Sequence, residues 1–182
     1  MTKPPPRFRT QDLVCIALFA VLISVSAWIT VPLAVPFTFQ TFAVFLTLMT
    51  LGGQRGLYAI LVYLLMGLAG LPVFSGFQGG FGALLGAGGG YLMGFPVAAI
   101  LYRWLRPVPD ASRRADFLAA LAGLLVCYVS GTLWFTWVYA RSSGAPGLTT
   151  ALSLCVFPFL VPDLIKLVLA AALARRLKPH LK

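Results

Sequence analysis

The chain has 182 residues, 60% of them hydrophobic and 10% charged, with a net charge of +10. A soluble domain carries about 25% charged residues, so a single aqueous core cannot hide this apolar excess, and a mean hydropathy of +0.93 points to lipid as the solvent. The basic residues stand singly or in pairs between apolar stretches, which fits the loops of a membrane protein and argues against a nucleic-acid partner.

Met1–Asp12 is short, basic and proline-rich. The apolar run behind it is too long for a signal peptide and shows no small-residue cleavage site, so it reads as a tail leading into a retained helix. A spanning helix needs roughly 20 apolar residues. Leu13–Val31 is the first such segment, stopping at Pro32, and Thr38–Gly52 is a short second one. Arg55–Gly70 follows, then Gly89–Leu105, Ala115–Tyr139 and Ala151–Ala174, the last interrupted by Pro158 and Pro162. These predict an all-α, polytopic membrane protein with six transmembrane helices. It divides into an N-terminal tail (1–12), a membrane domain (13–176) and a C-terminal tail (177–182).

With both tails cytoplasmic, twelve of the 14 basic residues lie inside, as the positive-inside rule requires; Arg141 lies outside and Lys166 within a helix. Trp28, Trp134, Trp137 and Tyr139 then mark the outer boundary, and Tyr102 and Trp104 the inner one. Pro32–Phe37, Leu71–Gly88 and Ala140–Thr150 face outward, where an arriving solute meets them first.

Only four acidic residues exist, and Asp163 is the one inside a hydrophobic segment, three residues before Lys166. At that spacing both side chains share one helix face. Each charge costs about 2.5–3.5 kcal/mol at a helix centre, so both should face the protein interior or a wet cavity. The pair either neutralises itself or fixes a polar ligand. Pro162 predicts that the helix restarts there, leaving Phe157–Val161 irregular at membrane depth, where such backbone is tolerated only if buried or lining a cavity.

Nine of the 18 glycines fall between Gly76 and Gly94, without the residues of a phosphate loop. Gly86, Gly90, Gly94 and Ala98 recur every fourth residue and predict a flat helix face for close packing. Phe74 to Gly80 form either a flexible outer loop or a wall over the solute. Gln40, beside Thr38 and Thr41, either bonds a neighbouring helix or lines the outer cavity. Ala17, Ala20, Ser24 and Ala27 make a small-residue stripe on the first helix, suited to packing in the bundle or to docking a second membrane protein. Cys15, Cys127 and Cys155 have neither disulfide nor metal-ligand spacing and read as small core residues. The only histidine, His180, is in the tail and no nucleophile–base pair is visible, so an enzyme is not expected.

Val35-Pro-Phe-Thr-Phe-Gln-Thr-Phe42, Gly70-Leu-Pro-Val-Phe74, Gly79-Gly-Phe-Gly-Ala-Leu-Leu-Gly86, Gly89-Gly-Tyr-Leu-Met-Gly-Phe95 and Asp163-Leu-Ile-Lys166 occur in this order. Together they resemble the BioY-type biotin transporters, the substrate-capture (S) subunits of energy-coupling factor importers, over about Ala17 to Ala174. Two positions depart from the family's usual pattern: Val161-Pro162 stands before Asp163 in place of Pro-Gly, and Ala87-Gly88 before the Gly-Gly-Tyr in place of Pro-Thr.

The resemblance implies a six-helix S-component fold in the cell membrane, holding biotin near the outer face. It implies a transmembrane coupling protein and two cytoplasmic ATPases as partners, so that ATP is hydrolysed there and this chain needs no cofactor. Ala20 and Ser24 would dock the coupling protein. A homo-oligomer stays open. Asp163 and Lys166 would bind the ureido head, by accepting from its N–H groups and donating to its carbonyl, or in the reverse pose Lys166 would meet the carboxylate. Phe74, Phe77 and Tyr91 would cover the rings. Gln78 and backbone N–H groups near Gly79 would meet the valerate, with Gln40 and Thr41 on the cavity wall. The alternatives are an S component for thiamine or riboflavin, and a self-sufficient permease.

Overall fold

The computed structural model describes residues 9–33, 35–106, 113–142 and 147–180. Lys3, Arg7, Asp110, residues 143–146 of the third outer loop and the last two residues of the C-terminal tail lie outside the described residues.

Helix α1 (Thr10–Trp28) begins where the backbone N–H of Arg9 donates to the Asp12 carboxylate at 3.0 Å, an acid well placed against the positive end of the helix dipole. The chain then leaves the helix three residues earlier than Val31. Thr30–Val31 (β1) pairs antiparallel with Phe37–Thr38 (β2), Thr30 opposite Thr38 and Val31 opposite Phe37. This two-strand ribbon is an addition to the all-α expectation, as is the single antiparallel bridge between Phe74 and Gln78. The ribbon brings Phe37 and Thr38 back beside Val31 and Thr30 at the end of α1.

Helix α2 (Gln40–Leu68) contains both the second and the third predicted segments, divided at Gly52 (φ 81°, ψ 168°). That dihedral lies where L side chains are disfavoured and glycine is not. The two arms fold back on one another. A β-carbon at Gly56 would lie 3.2 Å from the Leu48 Cα, whereas eight residues along a continuous helix span about 12 Å. Gln40 and Tyr63, at opposite ends of the arms' sequence, are joined by a 2.9 Å hydrogen bond.

A short turn of 3-10 helix, Ser75–Phe77, and helix α3 (Phe81–Leu85) build the Leu71–Gly88 connection into an ordered wall. Helix α4 (Gly89–Leu105) then packs closely on α5 (Arg113–Ser142). A β-carbon at Gly90 would come 2.3 Å from the Trp134 Cβ, and one at Gly94 would come 3.2 Å from the Cys127 Cα. The flat face predicted for Gly90, Gly94 and Ala98 is therefore present. Gly86 is not part of it: it precedes α4, and its carbonyl accepts from Trp134 Nε1 at 3.0 Å.

The last segment consists of α6 (Leu148–Cys155) and α7 (Phe157–Leu177). Here the structure corrects the expectation of irregular backbone from Phe157 to Val161. The break is at Val156 (φ −127°, ψ −58°), whose carbonyl takes the N–H groups of Phe159 and Leu160 at 3.0 and 3.1 Å. Pro158 explains the shift, because a proline in the first turn lacks an N–H that would go unpaired anyway. Pro162 is carried inside the helix; having no N–H, it leaves only the carbonyl of Pro158, itself in the first turn, without its i+4 donor.

By length and composition Thr10–Trp28, Gln40–Leu68, Arg114–Ala140 and Thr149–His180 can each cross a membrane. The hairpin α2 supplies two arms and the 17-residue α4 a further segment, which gives a multi-pass bundle of six. One end of it gathers the basic residues. Arg55 at the hairpin bend meets Asp12 at 3.0 Å, and Gly53 lies against the backbone of Arg103. Arg106 and Lys178 meet Asp116 at 2.6 and 3.5 Å. The ribbon, the 71–88 wall and the starts of α4 and α7 lie at the other end. All three cysteines are free and buried.

Candidate functional site

Asp163 and Lys166 sit in the second and third turns of α7, 6% and 4% exposed. Charges so buried must be paired and hydrogen-bonded, and here every donor is used. Lys166 Nζ donates to Asp163 Oδ1 at 2.8 Å, to the Thr38 carbonyl at 2.7 Å and to Thr41 Oγ1 at 3.3 Å. It also lies 3.8 Å from the centre of the Phe37 ring, a cation–π contact. Asp163 Oδ1 additionally accepts from Thr41 Oγ1 at 3.1 Å, and Oδ2 accepts from Tyr128 Oη at 2.9 Å. A carboxylate offers about four lone-pair sites, so one acceptor site is left over, on the oxygen bonded to Tyr128.

The pair forms the floor of a cavity of about 290 Å³ at the end of the bundle away from the basic cluster, near the lower limit of the roughly 300–1,000 Å³ typical of small-molecule pockets. Thr38, Gln40 and Thr41 line one side, Phe74, Ser75 and Gln78 another, and Gly86 to Gly88 with Tyr91 a third. Phe37 and Phe159, stacked 5.9 Å apart and nearly parallel, close the apolar part beside Lys166. Mostly apolar walls around a few converging polar groups are what orient a small ligand.

Each wall is fixed by bonds made behind it. Gln40 lines the cavity and also bonds a neighbour, its Nε2 donating to Tyr63 Oη; the two uses expected for it coexist. The Phe74 ring packs onto Gly67 and meets Tyr63 edge-on at 5.5 Å. Its N–H donates to the Gln78 carbonyl at 2.9 Å, closing the turn that carries Gln78 to the cavity. The Tyr91 hydroxyl donates to the Cys155 carbonyl freed by the Val156 break, so its ring, not its hydroxyl, is offered inward.

Asp163, Lys166, Gln40, Thr41, Phe74, Gln78 and Tyr91 are thus brought together. Gly79 and Phe77 are not. A β-carbon at Gly79 would strike the Leu71 carbonyl oxygen at 2.3 Å, so this residue is packed against its own loop, off the cavity wall. Phe77 is exposed and stacks on Trp28 at 5.1 Å, and Trp28 Nε1 holds the Pro72 carbonyl at 2.8 Å. Ala20 and Ser24, the residues expected to dock a coupling protein, are 0% and 4% exposed and turned into the bundle, with Ser24 Oγ bonded to the Ala20 carbonyl at 3.0 Å. Small side chains there let α1 approach α2, while Val14, Leu18, Val21 and Val25 form its outward face.

Sequence reasoning missed Phe37, Phe159 and Tyr128. Phe159 stands four residues before Asp163 and so shares its face, a usable signal. Tyr128 had only the signal of a hydroxyl in the middle of a long apolar segment.

Comparison with known proteins agrees with this architecture. The sequence profile described as the BioY family matches residues 1–182. A probable biotin transporter BioY of Pyrococcus horikoshii is 38% identical over 93% of this chain and 98% of its own length. The biotin transporter BioY of Thermotoga maritima is 41% identical over 92% and 96%. Among solved structures, a 2.1 Å crystal structure of the S-component for biotin from an ECF-type ABC transporter superposes with a TM-score of 0.81 over 95% of both chains at 24% identity, which establishes a common fold. With its whole length matched and relatives this similar along nearly all of theirs, the chain belongs to the BioY family, a family of transporters.

Proposed function

We propose that this chain captures biotin at the outer face of the cytoplasmic membrane and passes it inward as the S component of an energy-coupling factor importer. The observation that carries the reading is the buried Asp163–Lys166 pair on the floor of a cavity of about 290 Å³. Biotin's ureido ring has two N–H donors and one carbonyl acceptor on a rigid apolar bicycle. Asp163 accepts from an N–H at its remaining site, and Lys166 exchanges one of its three protein partners for the ureido carbonyl. Phe37, Phe159, Phe74 and the Tyr91 ring cover the bicycle. Gln78 and the backbone near it meet the valerate carboxylate.

The gathering of Arg55, Arg103, Arg106 and Lys178 at the far end supports placing that end, with both termini, in the cytoplasm. Relatives named as biotin transporters support the substrate. Uptake then needs a membrane-embedded coupling protein and two cytoplasmic ATPases. ATP is hydrolysed there, and this chain acts by binding and not by catalysis.

Isothermal titration of the purified chain with biotin, thiamine and riboflavin tests the reading. Selective biotin binding, lost in Asp163→Asn and in Lys166→Ala, is expected. Full biotin affinity in both variants would remove the pair from the site. Selective binding of another vitamin would keep the fold and discard the substrate.

A further inference from the structure

We infer that Tyr128 is a positioning residue for ligand capture, acting on the ligand only through Asp163. The inference rests on the biotin reading above. Tyr128 lies on α5 outside the cavity wall, 6% exposed, and its hydroxyl donates to Asp163 Oδ2 at 2.9 Å. The other carboxylate oxygen, Oδ1, is held by Thr41 and Lys166 from α2 and α7. Three elements therefore grip one carboxylate, and the grip from α5 comes from outside the cavity wall.

Two consequences follow from that geometry. A carboxylate rotates about its terminal torsion, which is broad and two-fold. With both oxygens engaged from different helices the plane of the group is fixed, and with it the direction of the remaining acceptor site. That site lies on the oxygen bonded to Tyr128, so the phenol sets where an incoming N–H must sit. Tyr128 also comes from the helix whose Gly131 receives the Tyr91 ring: a β-carbon there would lie 2.3 Å from that ring. One face of α5 thus aligns a polar group of the floor and an aromatic ring of the wall, although neither Tyr128 nor Gly131 lines the cavity.

The test uses the full chain in detergent and Tyr128→Phe, which keeps the ring and drops the hydroxyl. Biotin affinity is expected to fall roughly ten- to hundredfold, the scale on which partners behind a ligating group act, with melting temperature little changed. In an Asp163→Ala background, which leaves Tyr128 no side-chain acceptor at position 163, titrated with biotin up to millimolar concentration, adding Tyr128→Phe should change affinity less than about twofold, because its route to the ligand is gone. If Asp163→Ala binds too weakly to titrate, infrared difference spectra of the biotin-bound and free wild-type chain decide. The carboxylate band that Asp163→Ala abolishes should shift in Tyr128→Phe. Unchanged affinity in Tyr128→Phe, a penalty that persists in the Asp163→Ala background, or an unshifted Asp163 band would each overturn the inference. A wild-type chain that binds no biotin would instead overturn the substrate reading on which it rests.

Discussion

The Lys166 ammonium lies 2.7 Å from the Thr38 carbonyl oxygen, so a buried cation on α7 ties down the β1–β2 ribbon, whose Phe37 and Thr38 line the cavity. Lys166→Met removes that tie and leaves Asp163 buried without a counter-charge. Breaking one side of a buried pair costs about 3–5 kcal/mol, whereas replacing both sides is often close to neutral. Lys166→Met should therefore melt well below the wild type. The double variant Asp163→Asn with Lys166→Met should recover most of the loss, and neither should bind biotin. A single variant as stable as the wild type would show that the pair carries no structural role.

The close approach of Phe74 to Gly67 makes the cavity wall sensitive to one methyl group. A β-carbon at Gly67 would fall 2.0 Å from the Phe74 ring. In Gly67→Ala the ring must move, and overpacking of this kind costs about 1–3 kcal/mol. Biotin affinity should fall with stability, since Phe74 lines the cavity. Adding Phe74→Leu should restore the melting temperature without restoring affinity. Recovery of both would mean that the ring shapes the fold and not the ligand.

Much of this was legible in the sequence, and the parts that were not share a physical cause. Six apolar segments and the Asp163–Lys166 face follow from periodicity and from the cost of burying charge, which act locally. Gly52 marked the end of a segment, and it is where α2 turns back. The break at Val156 was misplaced because Pro162 looks like a helix start as readily as Pro158 does, and only packing chooses between them. Gly79 was read as exposing backbone to the ligand, while its small size serves contact with Leu71 and Gly70. Tyr128 is 35 residues from Asp163, and no local pattern marks a contact made across the bundle.

Asp116 joins α4, α5 and the C-terminal turn at the end remote from the cavity. It accepts from Tyr102 Oη at 3.0 Å and Arg106 Nε at 2.6 Å, with Lys178 Nζ at 3.5 Å. Arg106 is buried, so Asp116→Ala removes a carboxylate that a charge held away from water bonds. Stability should fall by about 1–3 kcal/mol, while biotin affinity of the folded protein stays within about twofold. A large loss of affinity without a loss of stability would reveal coupling between the two ends that the contacts do not account for.

The inward position of Ser24 reverses what substitution on α1 is expected to do. Were Ser24 on a docking surface, Ser24→Leu would spare binding and weaken uptake alone. In the structure Ser24 is packed against the rest of the bundle, its hydroxyl bonded to the Ala20 carbonyl. A leucine there overpacks the interface, again at about 1–3 kcal/mol, so stability, biotin binding and uptake should fall together. Val21 is 53% exposed on the outward face of the same helix, the face that a coupling protein can reach. Val21→Trp should leave melting and biotin titration unchanged. If a partner docks on α1, uptake by cells expressing the importer should be the one property that drops in this variant. Uptake lost in Ser24→Leu with binding and melting intact would return the docking surface to the buried stripe.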